Sequence, residues 1–194
     1  IDFLVPGIIA LSTMNNSFSA VGQPLNVQRL FERSFDQIII SPTPMSAYIF
    51  GQMLGGALRG MYSGVLILLL SIPFGASIQL SLPFFLVMLL NGMTFAALGI
   101  LSAIVASSHG DIARFSTFFI LPMTFLCNTF FPLERVPDFI QVLISILPLT
   151  HASSSLRAMA YGSAPNPLSL AILAIYATVF MIVANVVVAR RKNL

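Results

Sequence analysis

The side chains that could do chemistry are few, and their spacing forbids most of it. Cys127 is the only cysteine, which excludes an internal disulfide and a cysteine-rich metal site. His109 and His151 are the only histidines, and the topology derived below puts them on opposite sides of a membrane, too far apart to share a metal. The single lysine, Lys192, is followed by Asn193, so no Gly-x-x-x-x-Gly-Lys-Ser/Thr loop exists to cradle nucleotide phosphates. His-Glu-x-x-His and Gly-x-Ser-x-Gly are also missing. The six acids, Asp2, Glu32, Asp36, Asp111, Glu134 and Asp138, all fall in predicted loops or ends. The intramembrane carboxylates that relay protons or sodium in secondary transporters are therefore lacking. An enzyme is not expected, and neither is a cofactor held by this chain. What remains is neutral. Ser12, Asn15, Asn16, Ser19 and Gln23 recur every three to four residues, followed later by Asn91 and Thr94 and then by Thr124, Asn128 and Thr129. One reading is hydrogen bonding between helices, worth about 0.6 kcal/mol on average. The other is a path lined by amides, hydroxyls and the rings Phe18, Phe118 and Phe125, which suits an amphiphile better than an ion.

The elements holding these groups must lie in lipid. Of 194 residues, 8% are charged and 57% are hydrophobic, where a soluble domain carries ~25% charge. Mean hydropathy is +0.96. A soluble enzyme, a nucleic-acid binder and a disordered scaffold are all disfavoured. Between Arg59 and Asp111, 51 residues carry no Asp, Glu, Lys or Arg, room for two crossings at ~20 residues each. Backbone in lipid must satisfy itself, so the choice is helices or a closed barrel. Runs such as 65–70 and 182–188 are apolar without alternation, which selects an all-α polytopic bundle. Five spans are expected, at about 3–22, 46–72, 83–107, 112–131 and 167–189, forming one transmembrane domain over 1–194. The triplet Gly22-Gln23-Pro24 is expected to end the first. Basic residues in short loops set the orientation. Arg29 and Arg33, then Arg114, then Arg190-Arg191-Lys192 lie on one side, taken as cytoplasmic, with the C-terminus among them. That puts Ile1 outside. The chain has no initial methionine, so an N-terminal truncation and a sixth span upstream are expected.

Three segments are not plain spans. Over 27–40, Val27, Leu30, Phe31, Phe35 and Ile38 recur at helical spacing, while Arg29–Glu32 and Arg33–Asp36 pair opposite charges three apart. This predicts one amphipathic helix on the cytoplasmic surface. It either anchors the loop at the interface or docks a soluble partner, and its mixed charges argue against simple headgroup attraction. Residues 137–161 are split by Pro148 into pieces too short to span, which predicts a re-entrant pair on the outer side closed by Gly162 rather than one tilted span. The second span holds Gly-x-x-x-Gly at 51/55, 56/60 and 60/64, a pattern for close helix packing or for a hinge. Arg59 sits among these glycines. It should lie near the inner edge or face protein or water, either as a structural pair or in conformational coupling.

Several of these stretches together resemble one family. Phe3-Leu-Val-Pro-Gly7 opens a span, and Phe31-Glu-Arg-Ser-Phe35 runs on to Ser41-Pro-Thr-Pro44. Gly55-Gly-Ala-Leu-Arg-Gly60 and Phe131-Pro-Leu-Glu-Arg-Val-Pro137 follow in order, with Pro148 behind. The set resembles the permeases of type-2 ABC transporters, the group that includes nodulation-factor and drug-resistance exporters. The resemblance implies six spans per subunit, a likeness that this chain would meet only with more sequence upstream. It implies a dimer of permeases in a bacterial inner membrane and a separate ATPase that supplies ATP and magnesium chemistry, with no nucleic-acid partner. The helix at 27–40 would then couple to that ATPase through Arg29, Phe31, Glu32, Arg33, Phe35 and Asp36. Asn15, Asn16, Phe18, Thr124 and Phe125 would line the translocation path. The expected function is export of an amphiphile such as a drug, a lipid or a glycan-linked molecule. The alternative is a passive channel or an ion-coupled secondary transporter.

Overall fold

The computed structural model describes residues 3–32, 34–75, 81–126 and 138–192, and among these there is helix and turn but no strand. The helices in chain order are α1 (Leu4–Leu30), α2 (Ser34–Ile40), α3 (Met45–Ser71), α4 (Leu82–Val105), α5 (His109–Phe115), α6 (Leu121–Leu126), α7 (Asp138–Ile146), α8 (Pro148–Ala160) and α9 (Pro167–Lys192). A 3₁₀ turn, Ile72–Phe74, extends α3, and a π-helical turn, Ser116–Ile120, joins α5 to α6 as one rod. Three stretches are long and apolar enough to cross a bilayer: Met45–Phe74, Leu82–Val105 and Pro167–Ala189. Of the expected fourth span, 112–131, residues 127–131 lie outside the described residues.

The core is built on α1, α3 and α4, and small residues set how closely they approach. In lipid no hydrophobic force draws helices together, so close backbone contact and hydrogen bonds must do it. A Cβ at Gly60 would strike Ser17 Oγ and lie 2.6 Å from the Thr13 carbonyl, and one at Gly92 would lie 2.8 Å from Ala57 Cα. At Gly99 it would lie 2.7 Å from the Phe18 carbonyl. Gly51 and Gly55 carry the same sequence spacing yet meet nothing within 4 Å, because they face away from this packing. Asn91 Nδ2 donates to the Ala10 carbonyl at 2.9 Å, and Thr94 Oγ1 donates to the Leu173 carbonyl at 3.2 Å, tying α4 to both α1 and α9.

Two boundaries differ from expectation. The helix expected to end at Gly22-Gln23-Pro24 does not: α1 continues through Pro24 to Leu30. Nor is 27–40 one helix. Its first four residues finish α1, the chain turns at 31–32, and α2 starts afresh at Ser34. Helical periodicity in side chains survives such a turn, so the pattern could not reveal it.

Residues 138–160 form two helices meeting at Leu147, whose extended backbone (ψ 131°) precedes Pro148 at the first position of α8. At 9 and 13 residues they reach about 14 and 20 Å, short of ~30 Å of hydrocarbon. Gly162, at φ +77°, closes α8. Helix α8 also anchors the start of α1. Arg157, 9% exposed, donates from Nε to the Phe3 carbonyl at 3.2 Å, with its guanidinium 3.7 Å over the Phe3 ring.

Candidate functional site

Helix α1 carries its polar groups on two sides, and the fold separates them. On the side shared with α3, Asn16 Nδ2 donates to the Ser12 carbonyl at 3.0 Å and to Ser63 Oγ at 2.9 Å, while the Ser12 and Ser63 hydroxyls lie 2.6 Å apart. A cavity of about 470 Å³ opens here, lined by Asn16, Ser19, Ala20, Arg59, Tyr62, Ser63 and Leu66. Asn16, Ser19, Arg59 and Tyr62 are exposed in it.

Arg59 explains the unbroken first helix. Proline has no N–H, so Pro24 leaves the carbonyl four residues back, Ala20, without its helical donor. Arg59 Nη1 donates to that carbonyl at 3.4 Å. A neighbouring helix thus replaces the missing hydrogen bond, the condition under which proline is tolerated within a membrane helix. Of the two expected placements for Arg59, near the inner edge or facing protein or water, its contacts match the second: it lies at the midpoint of Met45–Phe74 and faces the Ala20 carbonyl and the cavity. A structural partner and an open cavity meet at this one guanidinium.

The other side of α1 faces the α5–α6 rod. Asn15, which donates to the Leu11 carbonyl at 3.2 Å, lines a smaller cavity of about 190 Å³ with Ser116, Thr117, Ile120, Leu121 and Thr124. Thr124 Oγ1 is turned back onto the Ile120 carbonyl at 2.9 Å. The π turn lies directly over this cavity, with the Leu121 N–H bonding the Ser116 carbonyl five residues back. Pro122 follows at once and cannot donate to Phe118, and a wider turn is one way a helix absorbs such a gap. Phe18 lines neither of these cavities. It is 2% exposed and stacks on Phe115 at 5.9 Å, which stacks on Phe119 at 4.5 Å. Phe125 is 60% exposed on the outside of the rod. The structure therefore brings Asn15 to Thr124, pairs Asn16 with Ser63, and sends the two phenylalanines elsewhere.

At the far end of α1 the expected coupling residues also divide. Arg29 turns inward: Nη1 donates to the Ile104 carbonyl and Nη2 to the Ala106 carbonyl, closing the last turn of α4. Phe35 is 3% exposed and packs on Tyr48 at 6.3 Å. Phe31, 69% exposed, and Glu32 point outward, and Ser34 Oγ donates to Glu32 Oε2 at 3.4 Å. Arg33 lies outside the described residues, and Asp36 is described only as part of α2. Beside Arg29's contacts stands a second anchor that the charge pattern did not reveal. Asp111 Oδ2 accepts the Ser108 N–H at 2.8 Å and the Ser107 N–H at 2.9 Å, and Asp111 Oδ1 accepts from Arg114 Nη1 at 2.9 Å. With the Ser108 side chain this is a capping box for α5, readable in advance as Ser-x-x-Asp. Those backbone donors, helped by the Ser108 side chain and Arg114, hold the Asp111 carboxyl below the usual carboxylate range. Among the described residues, no three His, Cys, Asp or Glu side chains gather where they could hold a metal.

Residues 1–161, which run from α1 through α8, match the ABC-2 type transporter family. Over 198 residues the chain is 27% identical to the inner membrane transport permease YadH of Escherichia coli, covering 100% of this chain and 76% of that one. It is 27% identical over 194 residues to nodulation protein J of Rhizobium meliloti, covering 98% of this chain and 74% of that one. With nodulation protein J of Rhizobium leguminosarum the identity is 26% over 197 residues, covering 97% and 74%. No solved structure matches.

Proposed function

Because this chain belongs to the ABC-2 type transporter family, we propose that it is the membrane-spanning permease of an ATP-driven exporter. It moves an amphiphilic substrate out of the cytoplasm by alternating access, in a bacterial inner membrane, and a separate ABC ATPase hydrolyses the ATP. Two permease copies form the path, and the C-terminus is cytoplasmic. The observation carrying this reading is the family match across α1–α8, in a chain whose relative YadH is described as an inner membrane transport permease.

The geometry supports a specific division of labour. Phe31 and Glu32, outward at the turn between α1 and α2, together with Arg33 and Asp36, meet the ATPase. Arg29 and Phe35 carry its push inward. Arg29 bridges the end of α1 to the end of α4, and Phe35 bears on Tyr48 at the start of α3. One displacement at the turn thus reaches α1, α3 and α4, whose close packing at Gly60, Gly92 and Gly99 makes them move as a unit. Asn15 and Thr124, beside the π turn, are the path residues best placed to sense that movement.

The test is reconstitution of the permease with its ATPase in vesicles. ATP-dependent flux is expected, and Arg33→Ala with Asp36→Ala lowers both flux and ATPase stimulation while leaving insertion intact. Flux that persists without ATP, in a preparation lacking any nucleotide-hydrolysing chain, would establish the channel or ion-coupled alternative instead.

A further inference from the structure

We propose that the cavity between α1 and α3 is a binding site for the anionic head group of an amphiphile, with Arg59 as its counter-charge. This rests on the exporter reading only in naming that amphiphile as cargo; the site itself stands on its own geometry. Arg59 is at the midpoint of its helix, exposed in a cavity of about 470 Å³. None of the residues lining that cavity is acidic. Among the described residues the one ion pair is Arg114 with Asp111, on a different helix.

The lining is rich in donors. The Ala20 carbonyl takes one Arg59 Nη1 bond, which orients the guanidinium and leaves its other N–H groups to face the cavity. Ser19 and Tyr62, each with a hydroxyl, also line the cavity. An arginine midway along a membrane-crossing helix is costly without an opposite charge, and a phosphate, sulfate or carboxylate group would supply it together with acceptors for these donors. The cavity also has an apolar exit. Leu66 lines it, and Leu69 and Leu70, 55% and 66% exposed, continue the same surface one turn on. An alkyl chain fits there. Below Arg59 the exposed Gly51 and Gly55 leave the surface flat, and a Cβ added at either would meet no neighbouring element within 4 Å. A head group can approach along that track from the end of α3 nearest α2.

The experiment measures equilibrium binding of radiolabelled dodecyl phosphate to the full-length permease in phosphatidylcholine nanodiscs, without ATP or ATPase. Saturable binding is expected, competed by unlabelled dodecyl phosphate but not by equal concentrations of dodecyl phosphocholine or inorganic phosphate. Arg59→Gln lowers affinity about tenfold or more, the loss expected for a charge-assisted hydrogen bond, while Arg59→Lys retains most of it. Ser19→Asp, which leaves Arg59 in place, gives a similar loss by supplying a competing carboxylate. Should Arg59→Gln alone fold poorly, Pro24→Ala with Arg59→Gln restores the helix donor and still binds weakly.

Equal competition by the phosphocholine or by inorganic phosphate would overturn the proposal. So would unchanged affinity in a folded Arg59→Gln protein. Phosphatidylglycerol in the nanodisc abolishing binding would assign the cavity to a resident lipid rather than cargo. Disulfide formation between two copies through Leu66→Cys, in a Cys127→Ser background, would assign it to a subunit interface. Binding that persists in a protein showing no ATP-driven flux would leave this site standing and remove the exporter reading alone.

Discussion

Replacing Arg59 with glutamine should cost the fold a hydrogen bond that Pro24 alone makes necessary. In the native chain the Ala20 carbonyl has no donor from its own helix, and Arg59 Nη1 reaches it at 3.4 Å. Hydrogen bonds between membrane helices are worth about 0.6 kcal/mol on average and up to ~1.7. The charged donor argues for the upper part of that range and the long distance for the lower, so about 1 kcal/mol is expected. Pro24→Ala returns an N–H to α1 and satisfies Ala20 internally, after which Arg59 has nothing to repair. Arg59→Gln should then cost about 1 kcal/mol less in the Pro24→Ala background than in the native one. Stabilities of the four proteins, measured by steric trapping or denaturant titration in mixed micelles, complete the double-mutant cycle. The intrinsic effects of each substitution cancel in the cycle, including the larger penalty of an internal proline. Costs that add to within about 0.3 kcal/mol would show that Arg59 and Ala20 are merely near one another, and the account of α1 would fail with them.

Three further outcomes are expected. Gly60→Ala should lower thermal stability in detergent by roughly 1–3 kcal/mol, because its Cβ would lie 2.6 Å from the Thr13 carbonyl, whereas Gly55→Ala, with nothing within 4 Å, should stay within about 0.5 kcal/mol; equal effects would show that the two glycines share one environment. Arg29→Gln should release the end of α4, so hydrogen exchange speeds up across residues 104–108 while α9 is unchanged; uniform acceleration would indicate global loosening instead. Asp111 has a folded-state pKa below the usual value of about 3.9, so its contribution to the α5 start is complete above that value and is lost as pH falls through the folded value. Exchange protection over 108–112, corrected for intrinsic rates, should therefore hold from neutral pH to about 5 and fall only in stronger acid. Asp111→Asn should remove the pH dependence, and a loss centred near neutrality would point to a different group.

Which groups share a surface was only partly legible. Asn15 and Asn16 are adjacent in sequence and look equivalent as path candidates, but one helical step of about 100° sends them to different neighbours. Asn16 meets Ser63 and Asn15 meets the α5–α6 rod. Phe18 has the same apparent standing, yet it is the ring that the rod stacks upon. Arg29 reads as a surface charge on an amphipathic helix. It is drawn inward because the carbonyls ending α4 need donors, a demand invisible in the residues around Arg29 itself. The glycine spacings at 51/55 and 56/60 are identical, and only the side on which α1 and α4 lie decides which pair is packed.

By itself the sequence determined the solvent and the class of backbone. So few charges cannot cover a water-facing surface, and lipid leaves a non-alternating chain no satisfied conformation but helix. It also marked the local breaks, such as the one before Pro148, because proline acts on its immediate neighbours. Tertiary structure decided where α1 ends and what Arg59 does. Proline signals a stop only while its orphaned carbonyl lacks a donor, and here the donor comes from another helix, brought close by glycines on the far side of the chain's first turn.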